Sequence, residues 1–307
     1  MNFFTEAQRR SLMENSHYLG AADIRNEVIW KKSGQENTLV AKDSVAAEDE
    51  HATESDSNEK KEDDNSEGST VDSEPESDPT TFLTPAPLVF IAQISPESCF
   101  LMPDGNWKGP TEYAQSFTDV KLNCLAVVPS QTPVYVNDFT NVVGNIQWFM
   151  AQSETAGYSK QGIFNASETQ KRSIKLRHVL FQKVNAEEDI ESIENWPVNN
   201  ENARKAATEL KKNHRIIPLP AYDIHGNLIH PTQYRDTLKG AVVRVTVLLK
   251  HWSITAKDNV NGRDTYTADI ENLRVLVAAP KFGGSPKAAR KIAQTDPGSP
   301  SKKQRRI

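Results

Sequence analysis

The chain predicts a mainly β domain carrying two arms that do not fold. Three observations lead there: many short apolar runs after residue 84, one strong helix signal at 199–213, and two segments with little apolar content. Hydrophobic residues make up 37% of the 307-residue chain, below the usual ~45–50%, so part of it lacks the material for a core.

Residues 1–42 form an N-terminal segment expected to be partly helical. Thr5 suits a helix cap with Gln8 at the capping-box position, and EVIW at 27–30 reads as a strand. Two readings stand, a surface helix packed on the domain or a tethered partner-binding motif. Residues 43–83 follow as an acidic, Ser-rich arm. Between 43 and 78 two lysines face fifteen acidic residues, a net of −13, with no aromatic residue. Such a stretch cannot bury enough apolar area to offset its ordering entropy, so disorder is expected.

The β-rich domain is expected over 84–280. APLVFIAQ at 86–93 reads as a strand entered through Pro85 and Pro87. VKLNCLAVV at 120–128, PVYV at 133–136, IQWFMA at 146–151 and IKLRHVLFQKV at 174–184 read as further strands. The helix at 199–213 opens on asparagine cap candidates and closes on Lys211 and Lys212. HGN at 225–227 marks a turn, and LKGAVVRVTVLLKHWSI at 238–254 is the most strand-like run in the chain. With TYTADIENLRVLVAAP at 265–280 it makes a β-hairpin with a long polar tip. Several twisted strands with a helix to plug one end predict a small oligonucleotide-binding (OB)-like barrel with one or two helices. A β-sandwich is the alternative, although Cys99, Cys124 and Trp148 do not follow the immunoglobulin spacing.

Alternation along 241–249 puts Ala241, Val243, Val245, Val247 and Leu249 on one face, an apolar seam for the core. The opposite face carries Arg244, Lys250 and Trp252, and Arg177, Phe181 and Lys183 repeat that mixture at 174–184. Cations that track phosphate and rings that stack on bases are what a single-stranded nucleic-acid site needs, so these six residues and Arg274 are the candidate binding set. Trp148, Phe149 and Tyr266 are additional stacking candidates. The competing reading is a protein-interaction or scaffold module in which those faces are packing, and self-association stays open.

Residues 281–307 are expected to be a disordered basic tail, eight cations against Asp296 alone, which leaves the ordered body near +1 in a chain of net −5. Lys302, Lys303, Arg305 and Arg306 form a cluster of the kind that nuclear import receptors read, so the expected address is the nucleus. Ser285 and Ser299, each followed by proline, are phosphorylation candidates whose phosphates would weaken the tail's charge.

Enzymatic classes find little support. There is no phosphate-cradling Gly loop, GxSxG or HExxH, and two cysteines make neither a disulfide framework nor a zinc site. No metal, cofactor or membrane span is expected. The one minor alternative is a metal-dependent hydrolase built on Asp223, His225 and His230 around the turn.

The block PAYDIHGNLIHPTQYRDTLKGAVVRVTVLLKHWSI followed by DTYTADIENLRVLVAAP resembles an uncharacterised protein family of mushroom-forming fungi. The carriers are a Tyr-Asp-x-x-Gly turn, a Pro-x-x-Tyr, a Gly-Ala strand start, a His-Trp pair and a closing Arg-Val-Leu. That resemblance brings no activity with it. More faintly, the same block is similar to virus-type single-stranded DNA-binding OB domains, which implies an OB fold and DNA binding. It covers about 220–280, and no family site residue transfers to a position in this chain.

Overall fold

The computed structural model describes residues 6–15, 17–45, 84–112, 114–164, 173–184, 193–211, 213–256 and 261–280. Most of the acidic arm and all of the tail, with Ser285, Ser299 and the Lys302, Lys303, Arg305 and Arg306 cluster, lie outside them.

In chain order the elements are α1 (Glu6–Asn15), β1 (His17–Tyr18), α2 (Ile24–Glu27), β2 (Val28–Ser33), β3 (Glu36–Ala41), β4 (Leu88–Phe100), β5 (Lys121–Val127), α3 (Pro133–Gln152), β6 (Ser159–Gln161), β7 (Ser173–Val179) and β8 (Phe181–Lys183). Then come α4 (Glu201–Leu210), β9 (His214–Ile216), β10 (Ala221–Tyr222), α5 (Tyr234–Leu238), β11 (Val242–Ile254) and β12 (Arg263–Val277).

Five of these strands close on themselves. β4 pairs antiparallel with β5, β5 with β7, β12 with β11, and β11 with β4 again, while β7 and β12 run parallel. Counted as five barrel strands, the ring runs first, second, third, fifth, fourth and back to the first. This is a mainly β, OB-like barrel, closed so that the ring strands leave no long free edge among themselves. Its interior takes the alternate residues of each strand. Ala241, Val243, Val245, Val247 and Leu249 are all buried, as their alternation requires.

α3 plugs the barrel. It covers PVYV and IQWFMA, two runs whose β-branched and aromatic content reads locally as strand. Helical spacing supplies the reason: Tyr135, Phe139, Val142, Val143, Ile146 and Phe149 recur every three or four residues and are all buried. Pro133 in the first turn suits a helix start. Burying that stripe against the barrel outweighs a propensity difference of a few tenths of a kcal/mol per residue. α4 forms where the asparagine caps predicted it, with Asn200 accepting from the Asn202 N–H at 2.9 Å. The described residues carry more helix than the one or two segments expected, and none of these helices is long and apolar enough to cross a membrane.

The N-terminal segment wraps the barrel. β1 adds to β4, and the β2–β3 hairpin adds to β11 at Lys250 and His251. Tyr18, Ala21 and Tyr135 close over Val89, Ile91 and Val242, making a second small core on the outside of the barrel wall. Polar ties fix this wrap to α3. Arg9 grips both oxygens of Asp138 at 2.7 Å, and the Tyr18 hydroxyl donates to the same carboxylate at 2.9 Å. Burial first, then the Asp138 charge, pushes the Tyr18 hydroxyl far above the ordinary tyrosine pKa. Asn145 donates to the Leu19 and Ala21 carbonyls at 2.8 and 2.9 Å.

Candidate nucleic-acid interface

On a barrel of this topology the outer side of the second and third strands is the surface flanked by the loops that bind oligonucleotides. Here those strands are β5 and β7. Their outward residues alternate with the core: Lys121, Asn123 and Leu125 on β5, Lys175, Arg177 and Val179 on β7. Antiparallel register sets Asn123 opposite Arg177 and Leu125 opposite Lys175. On the far side β12 brings Asp269 opposite Arg177.

Arg177 is the centre of this face. Its guanidinium holds both carboxylate oxygens of Asp269 and lies 5.3 Å from the centroid of the Trp252 ring. A cation over an indole is attracted by the ring's quadrupole, and the ion pair fixes its plane. Lys121 sits close by. Its pKa is pulled below the ordinary lysine value, by burial first and by the Arg177 charge second. Together these groups present two lysines, a stacked Arg–Trp pair and an asparagine, with one carboxylate already paired. An anion approaching this face meets two ammonium groups that have no ion-pair partner among the described residues, and a flat base meets a partly exposed indole.

The end of β11 that carries Trp252 is anchored by a buried polar network. His251 and Asp264 are almost fully buried; the histidine Nε2 lies 3.0 Å from Asp264 Oδ1, and its Nδ1 lies 3.0 Å from the Asn37 amide of β3. Asp264 also accepts from the Thr155 N–H at 2.6 Å and the Thr155 hydroxyl at 3.0 Å. Burial alone would raise the Asp264 pKa, but these donors outweigh it and hold the carboxyl below its ordinary value. The network joins the N-terminal hairpin, the segment that follows α3, and strands β11 and β12. Tyr266 stacks on His251 at 4.5 Å between ring centroids.

The structure scatters the rest of the sequence-derived set. Arg177 and Trp252 meet; the others do not join them. Arg244 is exposed and lies opposite Arg274 in the β11–β12 register. Arg244 lies eight positions before Trp252, roughly 26 Å along a strand. Arg274 is half-buried against the 223–227 turn, where a Cβ on Gly226 (φ +90°) would approach its Nη1 to 2.8 Å. Lys250 pairs with Glu36 at 3.1 Å. Phe181 is a core side chain, 4.8 Å from the Phe117 ring, because β7 ends at Val179 and the chain bends at Leu180 before β8 begins. That bend cancels the alternation that set Phe181 beside Arg177. Lys183 is exposed on the separate β8–β9 ribbon. Phe149 and Tyr266 are buried, and Trp148 is half-buried under Arg25.

Lys121, Asn123 and Lys175 belong to the face and were absent from the sequence-derived set. Their signal was present in VKLNCLAVV, where Lys121, Asn123 and Leu125 alternate with residues that turn out buried. What sequence could not supply was the adjacency of that strand to IKLRHV.

Asp223 and His230 of the hydrolase alternative are otherwise engaged. Asp223 accepts from the His225 and Asn227 N–H groups at 2.8 Å each, and the Asn227 bond is the main cause of its lowered pKa. His230 caps the short helical turn at 231–233. Among the described residues no group of three or more His, Cys, Asp and Glu side chains is placed to hold a metal ion. Cys99 and Cys124 face each other across β4 and β5 as buried free thiols.

No protein-family model matches the chain, and no curated protein matches it. Among solved structures it is similar to gp2.5, a single-stranded DNA-binding protein encoded by bacteriophage T7, at 12% identity and a TM-score of 0.38, over 69% of this chain and 98% of that one. It is also similar to the single-stranded DNA-binding protein from bacteriophage Enc34, at 9% identity and a TM-score of 0.32, over 64% of this chain and 83% of that one. The complex of the Enc34 protein with single-stranded DNA gives 9% identity, a TM-score of 0.30, and coverage of 64% and 86%.

Proposed function

We propose that the chain is a non-enzymatic binding protein for single-stranded nucleic acid, held across the outer face of β5, β7 and the end of β11. The observation that carries this reading is the Arg177 guanidinium of the third barrel strand fixed over Trp252 of the fourth, with Lys121 of the second beside it. In it Lys121 and Lys175 meet phosphates, Trp252 stacks on a base, and Arg177 orders the indole. A body close to neutral gives modest non-specific attraction, so local grouping of these cations sets the affinity.

Fluorescence polarisation of a labelled single-stranded oligonucleotide, titrated at several salt concentrations, tests this. Wild-type binding weakens with salt, and replacing Lys121 and Lys175 by alanine lowers the slope of log K against log salt by about 1.4, two phosphate contacts at ~0.7 each. An unchanged slope, or no binding by the wild type, refutes the reading.

We also propose a nuclear address for the chain, on the strength of the basic cluster Lys302, Lys303, Arg305 and Arg306. A fluorescent fusion that stays nuclear after all four become alanine rules that cluster out as the signal.

A further inference from the structure

A second cleft lies away from the sheet face, between α2, the start of β2 and the C-terminal half of α3. Its volume is 370 Å³, within the ~300–1,000 Å³ of small-molecule sites. Trp30, Trp148, Arg25, Lys42 and Gln152 line it, with the exposed side chain of Ile29 at its rim.

Its chemistry is specific. The Arg25 guanidinium lies 5.5 Å from the Trp148 ring centroid, and its Nε donates to Asn145 at 2.7 Å, which holds the stack in place. Trp30 is fixed as well, its indole N–H donating to the Phe149 carbonyl at 2.8 Å. Neither Arg25 nor Lys42 has a carboxylate partner among the described residues, and no acidic residue lines the cleft. The contrast with the pocket beside α1, which Glu14 and Glu27 line, is direct. Two rigid indoles ask for a flat ring, and two unpaired cations ask for an anion attached to it.

We propose that this cleft binds one nucleotide unit, an aromatic base against the indoles and a phosphate against Arg25 and Lys42. The site shares no residue with the strand-binding face, so either reading can fail without the other.

Isothermal titration of the full chain with dAMP reads it out. One saturable site is expected, with deoxyadenosine and inorganic phosphate each binding more weakly than dAMP. Trp148→Ala is expected to lose between about fivefold and a hundredfold in affinity, the range of one lost stacking contact. Lys42→Ala, an exposed side chain whose loss leaves the fold intact, is expected to lose severalfold, and Trp252→Ala nothing. A parallel arm with oligonucleotides that carry or lack a 5′-phosphate separates a free nucleotide from a strand end: only a strand-end site discriminates between the two in a Trp148-dependent way. Absence of saturable dAMP binding overturns the proposal, as does full affinity in Lys42→Ala. Loss in Trp252→Ala with Trp148→Ala unchanged also overturns it, since that places the nucleotide on the sheet face.

Discussion

The barrel has two outer faces built on the same alternation, and they meet opposite fates. On β4 and β11, Val89, Ile91 and Val242 point outward and are buried under Tyr18, Ala21 and Tyr135. On β5 and β7, Lys121, Asn123 and Arg177 point outward and stay partly exposed, and Lys175 is exposed. The apolar outward residues lie under the N-terminal wrap, while covering Lys121 and Lys175 would dehydrate charges that no ion pair among the described residues offsets. Outward residues of a closed barrel are therefore a second core or a binding surface according to what else the chain lays over them.

Variants that separate the two faces sharpen this contrast. Asp138→Ala strikes the wrap hardest: it leaves Arg9 and the Tyr18 hydroxyl without their shared acceptor in a part-buried site. A loss of about 3 kcal/mol is expected, read as a lower midpoint in urea, since breaking a buried pair strands its partner. Should the midpoint stay put, the wrap is a loosely held arm and the contrast collapses.

Trp252→Ala probes the open face, and its expected effect falls on binding. Oligonucleotide affinity is expected to drop by about 1–3 kcal/mol, the worth of one stacked base, while the urea midpoint moves little. A variant that instead unfolds while its folded fraction binds normally would identify Trp252 as packing.

Lys250→Ala sits on the border between the faces and carries the smallest effect. Its ammonium is paired with Glu36 of the N-terminal hairpin, so stability is expected to change by no more than about 1 kcal/mol and oligonucleotide affinity hardly at all. A large drop in affinity would extend the binding face across β11 towards the hairpin.

Much of this was legible in advance, for stated reasons. A row such as Ala241, Val243, Val245, Val247 and Leu249 has one place to go in a sheet, and asparagines ahead of a polar-faced run cap a helix wherever they occur. The failures have causes of the same kind. PVYV and IQWFMA look like strands in windows of four to six residues, whereas the 3.6-residue stripe that makes them one helix appears only over twenty. Phe181 left the candidate face because one residue at a bend inverts every later side chain.

Sequence by itself determined the local terms: which residues alternate, where the helix at 199–213 is capped, where the charge runs lie, and that the seam of β11 is core. Tertiary structure alone decided which strands stand side by side. That choice placed Lys121 next to Arg177 and brought Trp252 across to meet Arg177. The physical reason is that a strand's own residues set what each face carries. Neighbours across the sheet come from ring closure between segments as distant as β4 and β11, which no local pattern encodes.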